Sequence, residues 1–500
     1  MKRLIALFCL VSLCLSLFAC SPAQTTESAT GTTTGDATNE TSQKTEEEKD
    51  PIVYPDGFAV GYGRTDITPT GPLPIYNATG LSTHDPLQFT ATAIYDGENI
   101  ALLCSLDLKN MNLTFYDLFT KVIAREYNIP ADHVLFNITH THSAPSSTFS
   151  GLEGIKWRNL LMERIPAAVE QALRDLDLVE GVYVGKGYTD GITFVRRYLM
   201  PDGSYVTNPT TGTASAHESE ADNEMRTIRI DRKNKKDVLM VNYQTHYGSA
   251  TGLYKNQYSA DFVHEFREAA EKEWDCHFVY YSGASGNINF KSAIPGERKY
   301  SDFIKAVKQG FIPTVKDCLK GEQKVEIGPL RFASNWYEAS IHQDDPQTIA
   351  NAKIINGLTE GTQAYTDALA RYNLTTRQVQ GIMTRVGVGA PTQKVPFYAV
   401  SFGDIGFAAS PYEMFDTNGV QVRDGSPFKM TFVCSYTNGG YGYVPSAAAY
   451  PHGGYEVYVS RFTANSGDDF ALEMVRLLTE CKNQNTPAAN YIPITQKAPC

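Results

Sequence analysis

The sequence predicts an α/β protein in which mixed β-sheets are covered by helices within one large domain. Short runs rich in apolar β-branched and aromatic residues alternate with longer segments of helical periodicity. Several of the apolar runs end in clusters of polar residues, where α/β folds usually carry their sites. After residue 53, no low-complexity stretch or internal repeat divides the sequence.

The strands are predicted from apolar runs of strand length. Strands that are buried on both faces read as nearly continuous apolar runs, and eight segments have this character. In chain order they are Asn99–Leu106, His133–Ile138, Met225–Ile230, Val238–Tyr243, His277–Tyr281, Phe397–Phe402, Ile405–Ala409 and Met430–Cys434.

The helices are predicted from amphipathic periodicity and from the residues that begin and end it. Pro130 ends the first helix, Ser259 is expected to open the third, and Pro313 is expected to kink or split the fourth. The predicted helices are Phe115–Tyr127, Trp157–Leu176, Ser259–Trp274, Tyr300–Leu319 and Asp468–Cys481.

The N-terminal segment has the composition of a targeting signal. A basic start precedes the apolar run Leu4–Ala19, which is shorter than the roughly 20 residues that span a bilayer as a helix. The run ends in Leu-Phe-Ala-Cys, which resembles the lipobox of bacterial lipoproteins. This resemblance implies that Cys20 becomes the first mature residue and carries lipid. An ordinary signal peptide with a chance cysteine is the alternative.

The next thirty residues are predicted to be a flexible tether. Residues 21–50 contain twelve Ser or Thr and have a formal charge of −5, so they cannot bury enough apolar surface to fold. We therefore expect a signal peptide at 1–19, a lipidated cysteine and tether at 20–53, and one catalytic domain at 54–500. The expected location is the outer face of a bacterial membrane, attached through Cys20.

Charge and cysteine content exclude other classes of protein. The formal net charge of −11 argues against nucleic acid as a partner, because phosphate binding needs concentrated Lys and Arg. Nine cysteines in 500 residues are too few for a disulfide scaffold. Cys104, Cys276 and Cys434 lie on or beside apolar strands and are expected to be small core residues.

The clearest chemical signal is the sequence THTHS at residues 139–143, directly after a predicted strand. His140 and His142 point the same way if the strand persists, or diverge around a metal ion if it turns. Neutral imidazole is the commonest metal ligand in proteins. A metal site and a pair of hydrogen-bonded structural histidines are the two interpretations.

Other predicted strands also end in polar residues. One ends at His246, and another leads into the glycine-rich segment 282–289, which a plain tight turn would also explain. A third leads to Glu413, in the first turn of an expected helix, where the helix dipole alone also favours an acid. A fourth leads to Tyr443. Two histidines, a carboxylate and a tyrosine could together close a four-ligand zinc site.

Taken in order, these motifs resemble the neutral ceramidase family. Their order and spacing match over most of residues 55–480. The motifs are HDPL at 84–87, THTHS at 139–143, the strand-end His246, PYE at 411–413, NGGYGY at 438–443 and GGYE at 453–456.

The resemblance implies a role for each matching residue. It makes His140, His246, Glu413 and Tyr443 the ligands of a Zn²⁺ ion, with Tyr441 as the alternative tyrosine.

The catalytic residues follow from the same resemblance. His142 would act as general base and then as acid, while Tyr455 and Arg196 would stabilise the oxyanion. Arg197 is the alternative to Arg196.

The segment 282–289 is expected to contact the substrate through Ser285 and Asn289. Asn289 stands where the family's GDVSPN motif has its serine.

The function implied by the resemblance is zinc-dependent amide hydrolysis. Zinc-bound water would attack the N-acyl amide of ceramide or of a related N-acyl lipid and release a fatty acid and an amine. One alternative is a hydrolase of the same fold that acts on a different amide or ester. The other is a lipid-anchored binding protein with a vestigial metal site.

Overall fold

The structure of the protein is a computed structural model that describes residues 50–147, 149–246 and 254–484. The chain divides into two units, Met1–Pro51 and Ile52–Cys500, and all the described helices and strands lie in the second. The signal peptide, Cys20 and nearly all of the tether lie outside the described residues and stay predictions. None of the described helices is long and apolar enough to cross a membrane.

The larger sheet is mixed and has nine strands. Its parallel pairs are Val238–Tyr243 with His277–Ser282 and Ile100–Leu106 with Val134–Ile138. In spatial order its strands are His277–Ser282, Val238–Tyr243, Glu224–Arg232, Asp177–Tyr188, Ala59–Asp66, Gln88–Tyr95, Ile100–Leu106 and Val134–Ile138, with Gln323–Val325 paired to Asp177–Tyr188.

The smaller sheet contains, in order, Leu330–Ser340, Thr392–Phe402, Ile405–Ala409 and Met430–Cys434. Its last two strands are parallel, and the other pairs are antiparallel. Parallel neighbours end at the same edge of a sheet, so the residues that follow them lie close together. The remaining strands are short: Leu73–Ile75, Ala78–Gly80, Ser82–Thr83, Phe194–Val195, Arg197–Leu199, Tyr205–Thr207, Ala216–His217, Gln257–Tyr258, Ile288–Asn289, Glu413–Met414 and Tyr443–Val444.

Helices cover the sheets, as the sequence predicts. The α-helices are Leu113–Tyr127, Gly151–Arg174, Phe262–Trp274, Phe303–Ala306, Ile312–Lys320, Pro346–Asn356, Gln363–Tyr372, Thr376–Val388, Asp416–Gly425, Tyr455–Val459 and Ser466–Asn483. Every predicted strand and helix is present, most with shifted ends, and the predicted fold class is confirmed.

The helix predicted around Pro313 is split, as expected. A π-helical turn, Val307–Phe311, separates Phe303–Ala306 from Ile312–Lys320. Proline cannot donate to the carbonyl four residues earlier. That carbonyl, of Gln309, instead accepts a hydrogen bond from the hydroxyl of Tyr300 at 2.9 Å.

Two predicted helix starts are wrong. Ser259 does not open its helix, because its hydroxyl donates to the carboxylate of Asp85 at 2.5 Å, and the helix begins at Phe262. Glu413 does not lie in a first helical turn. It lies in a two-residue strand that pairs with Tyr443, and this pairing delays the helix to Asp416.

Three helices form an insertion at residues 346–388, between the paired strands Leu330–Ser340 and Thr392–Phe402. This helical insertion has its own apolar cluster, which includes Ile355 and Ile382. It therefore packs as a unit at one end of the smaller sheet.

Buried asparagines join the two sheets near the ends of their strands. The side-chain amide of Asn137 donates to the carbonyl of Ser435 at 2.6 Å and accepts from the backbone N–H of Ser282 at 2.8 Å. The amide of Asn242 donates to the carbonyl of Val433 at 3.1 Å. Because unpaired buried amides are costly, these bonds fix the positions of the strand ends.

The five cysteines among the described residues are buried and form no disulfide. They include Cys104, Cys276 and Cys434, which lie in the core as predicted.

Candidate metal centre

Three histidine side chains converge where two strands of the larger sheet end. The ligand nitrogens of His140, His142 and His246 all lie within 4.8 Å of one another, and the Nε2 atoms of His140 and His142 are 3.3 Å apart. His140 and His142 follow Val134–Ile138, and His246 follows Val238–Tyr243. In the described ranges, no other group of three or more His, Cys, Asp or Glu side chains has this arrangement.

The chain turns at His140, whose φ of 58° lies in the left-handed region. This conformation costs a non-glycine residue about 1–3 kcal/mol, so the surroundings must enforce it. The Nδ1 atom of His140 donates to the carbonyl of Lys109 at 2.6 Å, and the ring of Tyr436 stacks on the imidazole at 4.4 Å between centroids. The turn brings His140 and His142 to a common point.

Two of the imidazoles are oriented by backbone carbonyls. Nδ1 of His140 donates to Lys109, and Nδ1 of His246 lies 3.3 Å from the carbonyl of Ser285. With the proton on Nδ1, each Nε2 keeps a lone pair directed at the cluster, as in histidines that bind metals. His142 differs, because its buried Nδ1 has no hydrogen-bond partner.

A carboxylate and a tyrosine reach the same place from the smaller sheet's side. Glu413 and Tyr443 are paired in a short parallel bridge. Oε2 of Glu413 lies 3.7 Å from Nε2 of His140. A Cβ on Gly286 would lie 2.4 Å from the carbonyl oxygen of Glu413, so glycine is required where these two backbones touch.

Burial sets the protonation of the cluster. It lowers the pKa of His140 to about 3 and holds the pKa values of His142 and His246 well below their usual value. The three imidazoles are therefore neutral at neutral pH. Burial also raises the pKa of Glu413 to about 7, against the opposing effects of the Tyr443 hydrogen bond and the charge of Arg196.

The donor set fits a metal ion. Oε2 of Glu413 is a buried polar atom without a hydrogen-bond partner. The 3.7 Å between Glu413 and His140 is close to the roughly 3.4 Å that separates two ligand atoms on one tetrahedral zinc ion. A divalent cation among these atoms would satisfy the unpartnered carboxylate oxygen and the imidazole lone pairs.

Of the two candidate arginines, Arg196 is the one at the cluster. Its Nη2 donates to the hydroxyl of Tyr443 at 3.0 Å and its Nε to Glu456 at 2.7 Å. Arg197 faces away and pairs with Glu218 at 2.5 Å and with Glu456 at 3.1 Å. Glu456 is fully buried and pairs with both buried guanidinium groups, while Glu218 is a second carboxylate partner of Arg197.

An open cleft of about 970 Å³ lies above the cluster. Most of the predicted site residues line it: His140, His142, Arg196, His246, Asn289, Glu413, Tyr443 and Tyr455.

Ser285 and Tyr441 are placed elsewhere. Ser285 is buried behind His246, and its hydroxyl lies 3.2 Å from that of Tyr436. Tyr441 packs against Tyr412, with 5.8 Å between ring centroids, and does not line the cleft. Of Tyr441 and Tyr443, only Tyr443 therefore reaches the site. Ser285 lies behind His246 and does not line the cleft.

Sequence reasoning missed two residues that shape the site, Lys109 and Tyr436. The Tyr436 hydroxyl lies 3.5 Å from Nδ1 of His246. Each follows a buried strand by two or three residues, Ile100–Leu106 for Lys109 and Met430–Cys434 for Tyr436. His140 and His246 were identified because they follow apolar strands directly, and the same observation could have identified Lys109 and Tyr436.

The fold is shared with solved ceramidase structures. One is the neutral ceramidase from Pseudomonas aeruginosa, which is 14% identical, with 88% of this chain and 77% of that chain covered and a TM-score of 0.62. Another is a ceramidase complexed with C2, also 14% identical, with 88% and 78% covered and a TM-score of 0.63. No protein-family model and no curated protein sequence matches the chain. The sequence resemblance to neutral ceramidases is thus confirmed at the level of the fold.

Proposed function

We propose that the chain is a zinc-dependent hydrolase that cleaves linear N-acyl amides into a carboxylic acid and an amine. The observation that carries the proposal is the convergence of three neutral, buried imidazoles and one carboxylate at the floor of an open cleft. The fold shared with ceramidases supports amide hydrolysis as the reaction.

We assign the metal to His140, His246, Glu413 and Tyr443. The first two have their Nδ1 atoms bound to carbonyls and their Nε2 atoms free for a metal. When bound, Zn²⁺ polarises the amide carbonyl and lowers the pKa of water toward about 7.

The remaining polar groups move the proton and stabilise charge. His142 has no carbonyl partner that fixes its ring as a ligand, so Nε2 of His142 accepts a proton from the attacking water and returns it to the leaving nitrogen. The guanidinium of Arg196 lies 5.4 Å from the ring of Tyr443 and 6.0 Å from that of Tyr455. It therefore places positive charge near the Tyr455 ring, whose hydroxyl donates to the oxyanion.

A second candidate is hydrolysis of an amide or ester other than ceramide by the same residues. The polar lining of the cleft favours it. Among the described residues that line the cleft, none is Val, Leu, Ile, Met, Phe or Trp.

Replacing Tyr455 by phenylalanine tests the assignment of the oxyanion donor. We expect the purified wild-type protein to contain zinc and to hydrolyse N-acyl amides. The variant should keep its zinc, while kcat falls roughly 10²- to 10³-fold, as when an oxyanion-hole donor is removed. Metal analysis and steady-state kinetics measure the two effects.

The matched control is Tyr441→Phe, which removes a tyrosine hydroxyl outside the cleft. It should leave both zinc content and kcat near those of the wild type. An unchanged kcat in Tyr455→Phe, or a zinc-loaded wild type that hydrolyses no amide or ester, would contradict the proposal.

We also propose that Cys20 is lipidated and anchors the protein to the outer face of a bacterial membrane. Two acyl chains give stable attachment, whereas one does not. In Cys20→Ser, incorporation of labelled palmitate should stop, and the protein should move to the aqueous phase of a detergent partition. Cys14→Ser, within the apolar run, is the control and should stay labelled. Labelled Cys20→Ser protein would rule the anchor out.

A further inference from the structure

The cleft above the imidazoles is positively charged, although the chain has a formal net charge of −11. Besides Arg196, which Glu456 neutralises, three cations line it: Lys109, Lys291 and Arg377. We call these three the cation rim. The single carboxylate among the described lining residues is Glu413, which we assign to the metal.

The side-chain contacts of Lys109 and Arg377 are with neutral groups. The Nζ atom of Lys109 lies 4.9 Å from the centre of the Tyr76 ring. The guanidinium of Arg377 lies 5.1 Å from the ring of Tyr455 and donates to the side-chain oxygen of Gln380 at 3.0 Å. Cation–ring contacts leave the full positive charge in place, so the cleft attracts anions.

Lys109 and Arg377 lie beside the reacting groups. The Tyr76 ring that Lys109 covers is 4.5 Å from the ring of His142. The Tyr455 ring that Arg377 covers is 5.4 Å from the ring of Tyr443. A substrate anion held by either cation would therefore be close to the scissile bond.

Arg377 is fixed in position by the packing of the helical insertion. A Cβ on Gly381, one turn after Arg377, would lie 1.8 Å from the carbonyl oxygen of Tyr458. Glycine lets this helix touch the helix Tyr455–Val459 directly. Arg377 thus belongs to the built wall of the cleft, even though its side chain is exposed.

The lining also disfavours a long hydrocarbon chain. A buried methylene gains free energy against apolar surface, and the described lining has no large aliphatic side chain. A charged, polar substrate matches this wall better than a lipid with two long chains.

We propose that the substrate is an N-acyl amide that carries an anionic group, such as the carboxylate of an N-acyl amino acid, bound by the cation rim. The inference rests on the proposed function. Water adds across the C–N bond, giving a carboxylic acid and an amine, and the second, anionic group is bound but does not react.

The test uses two substrates that differ in one charge, N-octanoylglycine and N-octanoylglycinamide, with a short-chain ceramide as a third. We expect kcat/KM to be highest for N-octanoylglycine. In the double variant Lys291→Gln/Arg377→Gln, kcat/KM for this acid should fall roughly 10- to 100-fold, as when charge-assisted contacts are lost. For the neutral amide it should change less than about threefold.

A matched control removes two charges from the helical insertion outside the cleft. Lys353 and Arg371 are exposed and do not line it, so Lys353→Gln/Arg371→Gln should leave kcat/KM for the acid unchanged. An equal or greater kcat/KM for the neutral amide or the ceramide would overturn the anionic substrate and leave the hydrolase standing. Failure to hydrolyse any of the three, or any ester, would count against the proposed function itself.

Discussion

Replacing His140 by alanine is expected to remove the bound zinc and to lower kcat/KM by roughly 10³-fold or more, because several kcal/mol of transition-state stabilisation depend on the metal. Nε2 of His140 lies 3.3 Å from Nε2 of His142 and 3.7 Å from Oε2 of Glu413. Alanine therefore removes the nitrogen nearest to both of these groups. Metal analysis and amide hydrolysis, measured on the same preparation, check the two effects.

His342→Ala is the matched control for this variant. Its side chain is 52% exposed and lies outside the imidazole cluster, so the same change there should leave zinc and rate intact. If His140→Ala keeps both the metal and the activity, the assignment of the metal centre is wrong. If zinc is lost and the rate is unchanged, the metal has no part in the reaction.

Replacing Glu456 by glutamine is expected to lower the free energy of unfolding by about 3–5 kcal/mol, because it leaves the buried guanidinium of Arg196 without a carboxylate partner. Glu456 is the buried partner of Arg196 at 2.7 Å and of Arg197 at 3.1 Å, and it also accepts from Thr207 at 2.8 Å. Denaturant unfolding measures the loss. Hydrolysis should fall as well, because Arg196 loses the bond that holds it against Tyr443.

The control for this variant is Glu480→Gln, which removes a surface partner of Arg476 that is 48% exposed. It should cost less than about 1 kcal/mol. Equal losses in the two variants would show that the buried network contributes no more than a surface ion pair.

The same network predicts the direction of acid sensitivity. Burial acts to raise the pKa of Glu456, but Arg196 and Arg197 outweigh it and hold the pKa below its ordinary value of 4.5. The stabilisation by Glu456 is therefore complete above that pH and is lost as the pH falls through the lower folded pKa.

Much of the site could be predicted from the sequence because the histidines follow apolar strands directly. The strand Val238–Tyr243 is buried at every position, so its length and the exit toward His246 are visible in the sequence. The same holds for Val134–Ile138 and His140.

Other features lay beyond pattern reasoning. Glu413 and Tyr443 meet through two-residue strands, which are too short to have a period. Adjacent residues of a strand point to opposite faces, and the sequence does not show which face the site is on, so Arg197 stayed open as the alternative to Arg196. The long strand Asp177–Tyr188 was missed because exposed polar positions interrupt its apolar run.

The helical insertion was also missed, and with it Arg377. Its first helix, Pro346–Asn356, has almost no amphipathic periodicity, and the three helices bury few large side chains, in a small cluster of their own. Arg377, one of the cations that make this cleft polar, was therefore identified only from the structure.

The central claim is that a zinc ion binds where the imidazoles converge. Crystals of the zinc-supplemented protein, measured on both sides of the zinc absorption edge, test it most directly. The account predicts one anomalous peak in contact with Nε2 of His140, Nε2 of His246, the Glu413 carboxylate and the Tyr443 hydroxyl. The claim would be contradicted if crystals of the zinc-supplemented protein gave no anomalous peak at this cluster, or gave peaks only at other positions.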